Sequence, residues 1–291
     1  SQAIFERFCA VMFGRTWAGH AQSVSNAVSQ ATTTLDSLSK SFQPYAGQWG
    51  PSGRSIRASR SVLLDFATTV YEDLLSSGRD AAIRPLLDCG LSKVEVVDEI
   101  LTQIVAGTET TTITTCWALS LLARHPEARA QVREGALDVD LCVNETLRMY
   151  PAFWTMIRVA KRDVLLEGQQ IKKDTVLFVS PFCVHHNPAF WPDPERFDPQ
   201  RFVDRISVRG DFMPYGYGAR ACLGGRLAHV LIRECVLQAS TQLDLALCED
   251  EPHGQQVDPL IVVLKSQTGF RFNVAWRGKG DERQAQEAPF P

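Results

Sequence analysis

From residue 92 to residue 124 the chain runs on without a proline, apolar residues recurring at helical spacing until Arg124-His125-Pro126 interrupts them. The pattern predicts one helix of about 32 residues, roughly 48 Å long at 1.5 Å per residue, which would cross a whole domain. Ser92 followed by Glu95 is a capping box: the hydroxyl accepts from an amide left open in the first turn, and the carboxylate reaches back to the Ser92 amide. The middle of the run is Ala106-Gly107-Thr108-Glu109-Thr110-Thr111-Thr112. Glycine and repeated threonine are poor residues for a helix interior. Two explanations are open: a polar patch that the helix tolerates, or a kink or ligand approach at that point.

The longest apolar stretch, residues 111–123, is too short to cross a bilayer and is flanked by Glu109 and Arg124, so no membrane span is predicted. Thirty basic against thirty-three acidic residues leave a net charge of −3, which offers no cationic field to nucleic acid or to an anionic membrane. With 45% apolar and 22% charged residues over 291 positions, the chain reads as globular and not disordered or fibrous. Its eight cysteines are scattered without a C-x-x-C pair, as expected of reduced thiols in a reducing compartment, here the cytoplasm. The chain opens at Ser1 without methionine or a basic leader and reads as a processed chain or a fragment.

Around the long helix, further helices are predicted over residues 4–13, 21–42, 62–74, 126–134, 140–149 and 223–243, with a loop or linker over 44–59. Strands are predicted over 157–166 and 175–180, and a closing hairpin over 261–264 and 270–274 around Thr268-Gly269. Residues 187–204, rich in Pro, Phe, Asp and Trp, read as an ordered meander, and 210–218 as a loop punctuated by glycine. The tally is mainly α with small β-sheets.

The segment Phe212-Met213-Pro214-Tyr215-Gly216-Tyr217-Gly218-Ala219-Arg220-Ala221-Cys222-Leu223-Gly224 places a cysteine at the mouth of a helix, behind glycines that let backbone approach a flat ligand. Amides at a helix start favour an anion, and Arg220 supplies a cation for a nearby acidic group. This segment resembles the haem-binding loop of the cytochromes P-450, FxxGxRxCxG. Gly218, Arg220, Cys222 and Gly224 fit, and Tyr215 stands where the family carries Phe. Three more stretches resemble the family in its own order. Ala106-Gly107-Thr108-Glu109-Thr110-Thr111 is similar to the oxygen-activation stretch of the long central helix. Glu145-Thr146-Leu147-Arg148 is similar to the E-x-x-R. The segment from Pro194 to Phe202 is similar to the following meander, with Arg201 as third member of a Glu-Arg-Arg network and Gln200 where Glu is commoner.

The resemblance implies the cytochrome P-450 fold with its N-terminal part absent: one haem-binding domain over residues 1–275 and a polar tail over 276–291. It implies haem b (iron protoporphyrin IX) with Cys222 as the axial ligand of the iron, and Arg220, Gly218, Gly224, Tyr215 and Ala106 about the cofactor. Arg158 stands either for a propionate ligand or for an ordinary strand-end arginine. Glu109 and Thr110 would deliver protons, unless Thr110 merely bonds a backbone carbonyl one turn back. Glu145, Arg148 and Arg201 would be structural, as would His185 and His186. The pocket would draw on Ile104, Val105, Phe153, Trp154, Met156 and Thr268, although such apolar residues also suit plain core. The implied activity is a monooxygenase oxidising an apolar small molecule with O2 and electrons from a ferredoxin or flavin reductase. A rearranging or peroxide-using haem-thiolate enzyme and a non-catalytic haem protein are the alternatives.

Overall fold

The computed structural model describes residues 2–40, 51–204, 210–248 and 270–277. They are mainly helical, with three two-stranded antiparallel sheets. This is the expected fold class, mainly α with small β-sheets. The described residues form two compact units, residues 2–113 with 227–235, and residues 114–226 with 236–277.

The first unit is built from α1 (Gln2–Phe13), α2 (Ala18–Lys40), α3 (Pro51–Ser77), the single turn α4 (Pro85–Asp88) and the first part of α5 (Lys93–Arg124). Residues 227–235 of α9 (Gly225–Gln242) belong to it as well. One face of each long helix carries the apolar residues. Phe5, Phe8 and Phe13 of α1, Val24 and Val28 of α2, Leu63, Phe66 and Val70 of α3, and Val96, Ile100 and Ile104 of α5 close one core with Leu231. Burial of each such side chain contributes about 1.5–3 kcal/mol. Trp17 meets Phe66 edge-on, ring centroids 5.5 Å apart.

The α5 N-terminus carries the anticipated capping box: the Ser92 amide donates to Glu95 Oε2 at 2.8 Å, and the Glu95 amide to Ser92 Oγ at 3.4 Å. Residues 51–59, expected in a loop, instead form the first turns of α3. Proline is well placed at a helix start, and packing of α3 along α2, which buries Gly53 and Ser59, overrides the poor helix propensity of that stretch. The remainder of the expected linker, 44–50, lies outside the described residues.

In the second unit the end of α5 leads into α6 (Pro126–Glu134) and α7 (Val139–Met149). Asp138 caps α7 by accepting the Asp140 amide at 3.0 Å, and the helix stops at Tyr150 before Pro151. The indole of Trp117 stacks on Tyr150 with centroids 3.8 Å apart. The single strand expected over 157–166 is two: β1 (Met156–Val159) pairs with β4 (Val176–Val179), and β2 (Val164–Leu166) with β3 (Gln169–Ile171). The break falls at Asp163, whose carboxylate accepts from the Lys173 amide and the Lys172 ammonium and so turns the chain.

After α8 (Pro181–His185) and the meander comes α9, which passes directly into β5 (Leu243–Leu247). β5 pairs with β6 (Phe272–Trp276), so the terminal strand finds its partner at residues that the helical pattern had nearly claimed. The other arm of the expected hairpin, 261–264, lies outside the described residues, as do Thr268 and the tail from residue 278.

Candidate functional site

The best-ordered chemistry of the second unit starts on α7. Glu145 and Arg148, three residues apart, lie on one helix face, and both are fully buried. Arg148 Nε donates to Glu145 Oε2 at 2.7 Å and Nη2 to Oε1 at 3.0 Å, a two-pronged clamp. Arg201 Nε reaches the same Oε1 at 3.0 Å, and the Asp198 amide reaches it at 2.9 Å. The guanidinium groups spend their remaining donors on backbone: Arg148 on the carbonyls of His185 (2.9 Å) and Arg196 (3.4 Å), Arg201 on those of Pro192 (3.0 Å) and Arg196 (3.2 Å). One carboxylate therefore ties α7 to the whole meander.

Above this cluster runs the cysteine loop. The Gly216 amide donates to the Met213 carbonyl at 3.0 Å, and the Cys222 amide to the Tyr215 carbonyl at 2.7 Å. Gly216 and Gly218 turn the chain at φ of 74° and 73°, a region that side-chain-bearing residues rarely adopt. Cys222 is exposed and lies just ahead of Gly224, the residue capping α9. Leu223 beside it is 93% exposed and Tyr217 49%. The Tyr215 ring packs under α9, where a Cβ on Gly225 would come within 3.2 Å of its Cγ, and burial pushes the phenol well above its ordinary range. The expected Met156 also meets the loop, its sulfur 3.4 Å from where a Cβ on Gly216 would lie.

Other anticipated residues fall elsewhere. Arg220 and Arg158 are exposed, and Arg158 Nη1 donates to the Ile157 carbonyl at 2.9 Å on β1. Phe153 is 45% exposed, and the Trp154 carbonyl accepts the Ser180 hydroxyl at 2.7 Å. Thr268 lies outside the described residues.

Ile104, Val105, Ala106, Glu109 and Thr110 belong to the first unit. Ile104 is fully buried in the helical core, and Val105 packs against it. The backbone stays α-helical through this stretch, and its awkward residues make local contacts. A Cβ on Gly107 would lie 2.3 Å from Cε2 of Phe8 on α1, so the Phe8 ring makes a close approach at this glycine. The hydroxyls of Thr108, Thr110 and Thr112 donate one turn back, Thr110 to the Ala106 carbonyl at 2.8 Å. Glu109 Oε1 accepts from the Thr32 hydroxyl of α2 at 2.8 Å.

The sequence does not anticipate Thr32, nor the packing of Trp191 and Phe202 with Phe212 and with His185, the last expected only as a structural residue. The fully buried Trp191 was the available signal, since its indole needs a partner and finds the Asp211 carbonyl at 3.2 Å. Among the described residues no cluster of three His, Cys, Asp or Glu could hold a metal ion, and no helix is long and apolar enough to cross a membrane. Among the other thiols, burial pushes Cys9 and Cys142 up to about 12 and Cys116 up to about 11, while Cys89 and Cys183 are exposed as Cys222 is.

A family model described as Cytochrome P450 matches residues 3–270. Cyclooctat-9-en-7-ol 5-monooxygenase of Streptomyces melanosporofaciens is 36% identical over 178 residues, 54% of this chain and 39% of the relative. Thromboxane-A synthase of Mus musculus is 34% identical over 173 residues, 50% and 32% respectively. Cytochrome P450 3A31 of Mesocricetus auratus is 31% identical over 182 residues, 55% and 36%. The chain thus spans well under half the length of the curated relatives it matches.

Proposed function

Because this chain belongs to the cytochrome P450 family, we propose that it is the cofactor-binding portion of a haem-thiolate monooxygenase, with Cys222 as the residue whose thiolate would hold the iron of haem b. The observation that carries the reading is the setting of Cys222, exposed on a glycine-turned loop just ahead of the α9 N-terminus and beside the uncovered Leu223 and Tyr217. Cys89 and Cys183 are exposed as well, without such a loop, and burial raises the thiols of Cys9, Cys116 and Cys142. A metal-bound cysteine must be deprotonated, and a flat apolar macrocycle needs an apolar surface to cover. The residues present fit such a group.

Bound there, the haem supplies the one-electron and O2 chemistry. The chain supplies the rest. Cys222 Sγ offers a thiolate. Arg220 and Arg158 present exposed guanidinium groups for the propionate carboxylates, and Gly218, Gly224 and Tyr215 shape the loop that would face the cofactor. The Thr110 hydroxyl donates to the Ala106 carbonyl, and Glu109 Oε1 accepts a hydrogen bond from the Thr32 hydroxyl, so both groups assigned to proton delivery are tethered at defined atoms. Glu145, Arg148 and Arg201 hold the meander. The substrate in this reading is an apolar small molecule, oxidised with O2 and electrons from a ferredoxin or flavin reductase, in the cytoplasm.

The monooxygenase reading draws on the adjacent Glu109 and Thr110 and on a relative named as a monooxygenase. The rearranging alternative draws on the Thr110 bond to the Ala106 carbonyl, which accounts for that hydroxyl without any proton relay. The carbon monoxide spectrum of the reduced, haem-loaded protein tests the ligand. Product coupling in a Thr110 variant separates the two activities.

A further inference from the structure

His185 is fully buried at the end of α8 and is in contact with both parts of the second unit's chemistry. Its backbone carbonyl accepts Arg148 Nη1 at 2.9 Å, and its ring Nε2 accepts the Met213 amide at 2.9 Å. Met213 opens the cysteine loop. Its carbonyl takes the Gly216 amide at 3.0 Å, and two residues on, the Tyr215 carbonyl takes the Cys222 amide at 2.7 Å. The imidazole lies against Phe212, centroids 5.3 Å apart, and against Trp191 at 6.3 Å.

We propose that His185 is a positioning residue for Cys222: its neutral ring, as the Nδ1–H tautomer, anchors the first turn of the cysteine loop to the Arg148 end of the ionic cluster. An accepting Nε2 requires that the proton sit on Nδ1. A protonated ring would turn an N–H against the Met213 N–H and leave that amide without its acceptor. Burial favours the neutral form and pushes the imidazole down to about 4. A hydrogen bond to the Arg148 backbone works against burial; of the charged groups about the ring, His186 and the Arg148 guanidinium push the same way as burial and Asp211 opposes them. The loop geometry is thus set through one side-chain acceptor whose carbonyl is fixed by a buried guanidinium.

This inference rests on the assignment of Cys222 as ligand, and its test separates the two. His185→Gln keeps an acceptor of similar reach, and His185→Leu removes it. Amide hydrogen exchange is followed at Met213 and Gly216 in each purified chain, with the α7 amides as an internal reference. Expected is exchange about tenfold or more faster at Met213 in His185→Leu, near wild type in His185→Gln, with α7 unchanged in both. The haem-loaded His185→Leu protein should lose part of its thiolate-type carbon monoxide band, and His185→Gln should keep it. A Met213 amide as protected in His185→Leu as in wild type, with an unchanged band, overturns the proposal. Should His185→Leu fail to fold, nitrogen-15 spectra of the wild-type imidazole decide, because a protonated Nε2 contradicts the proposed tautomer and an unprotonated one coupled to the Met213 amide supports it. A wild-type protein without any thiolate band refutes the Cys222 assignment instead.

Discussion

Arg148 Nε lies 2.7 Å from Glu145 Oε2, and neither side chain exposes any surface to solvent. A pair so placed gains little over a well-packed apolar substitute but is costly to break, because the surviving charge is left buried without a partner. Arg148→Ala is expected to destabilise the protein by about 3 to 5 kcal/mol and to give insoluble or haem-free material. Arg201→Ala should cost less, since Arg201 retains some exposure and Glu145 keeps its clamp from Arg148. Denaturant midpoints of the two variants check the order. A soluble, fully haem-loaded Arg148→Ala protein of wild-type stability would remove the ionic cluster from the account.

Gly107 is required by Phe8 and not by the helix. Gly107→Ala should destabilise by about 1 to 3 kcal/mol through overpacking, in spite of alanine's better helix propensity. Phe8→Leu in the same chain should recover part of the loss, as contacting positions couple. Thermal unfolding of the two single variants and the double variant measures it, and additive losses would rule out the steric explanation.

Stability should fall with acid below neutrality. The buried His185 binds its proton only at about 4 against 6.5 for an ordinary imidazole, so between these values the unfolded chain takes up a proton that the folded chain refuses. The contribution is complete above about pH 6.5, declines as pH falls, and is gone below about 4, on the order of 3 kcal/mol in all. Urea unfolding across this window should show a steeper slope in wild type than in His185→Gln. Equal slopes would place the acid sensitivity in other groups.

The Thr110 hydroxyl and the Glu109 carboxylate are separable by substitution. In a preparation that turns substrate over, Thr110→Ala should bind cofactor and substrate normally and still consume reductant and O2. It should release hydrogen peroxide in place of oxidised product, lowering productive turnover by on the order of 10²-fold. Thr32→Val, which removes a donor to Glu109 Oε1, should lower productive turnover without changing cofactor content. Unchanged coupling in Thr110→Ala would leave its bond to the Ala106 carbonyl as its whole role and favour a rearranging activity.

Much of this was legible in the sequence because its signals are local. The capping box of Ser92 and Glu95, the i,i+3 spacing of Glu145 and Arg148, and the glycines flanking Cys222 each announce their geometry within a few residues. What stayed hidden depends on partners distant in sequence. Residues 51–59 become helical through packing against α2, β5 is a strand because β6 returns to it, and Gly107 answers to Phe8. The bond from Met213 to His185 spans 28 positions and leaves no periodic trace.

The central claim is that Cys222 carries the cofactor, and one measurement bears on it most directly. Wild-type chain, Cys222→Ala and Cys142→Ala are each reconstituted with haem, reduced and exposed to carbon monoxide, and the Soret band is recorded. The account predicts a thiolate-type band in wild type and in Cys142→Ala, whose native thiol burial pushes up to about 12, and none in Cys222→Ala. A thiolate-type band that survives in Cys222→Ala would contradict it.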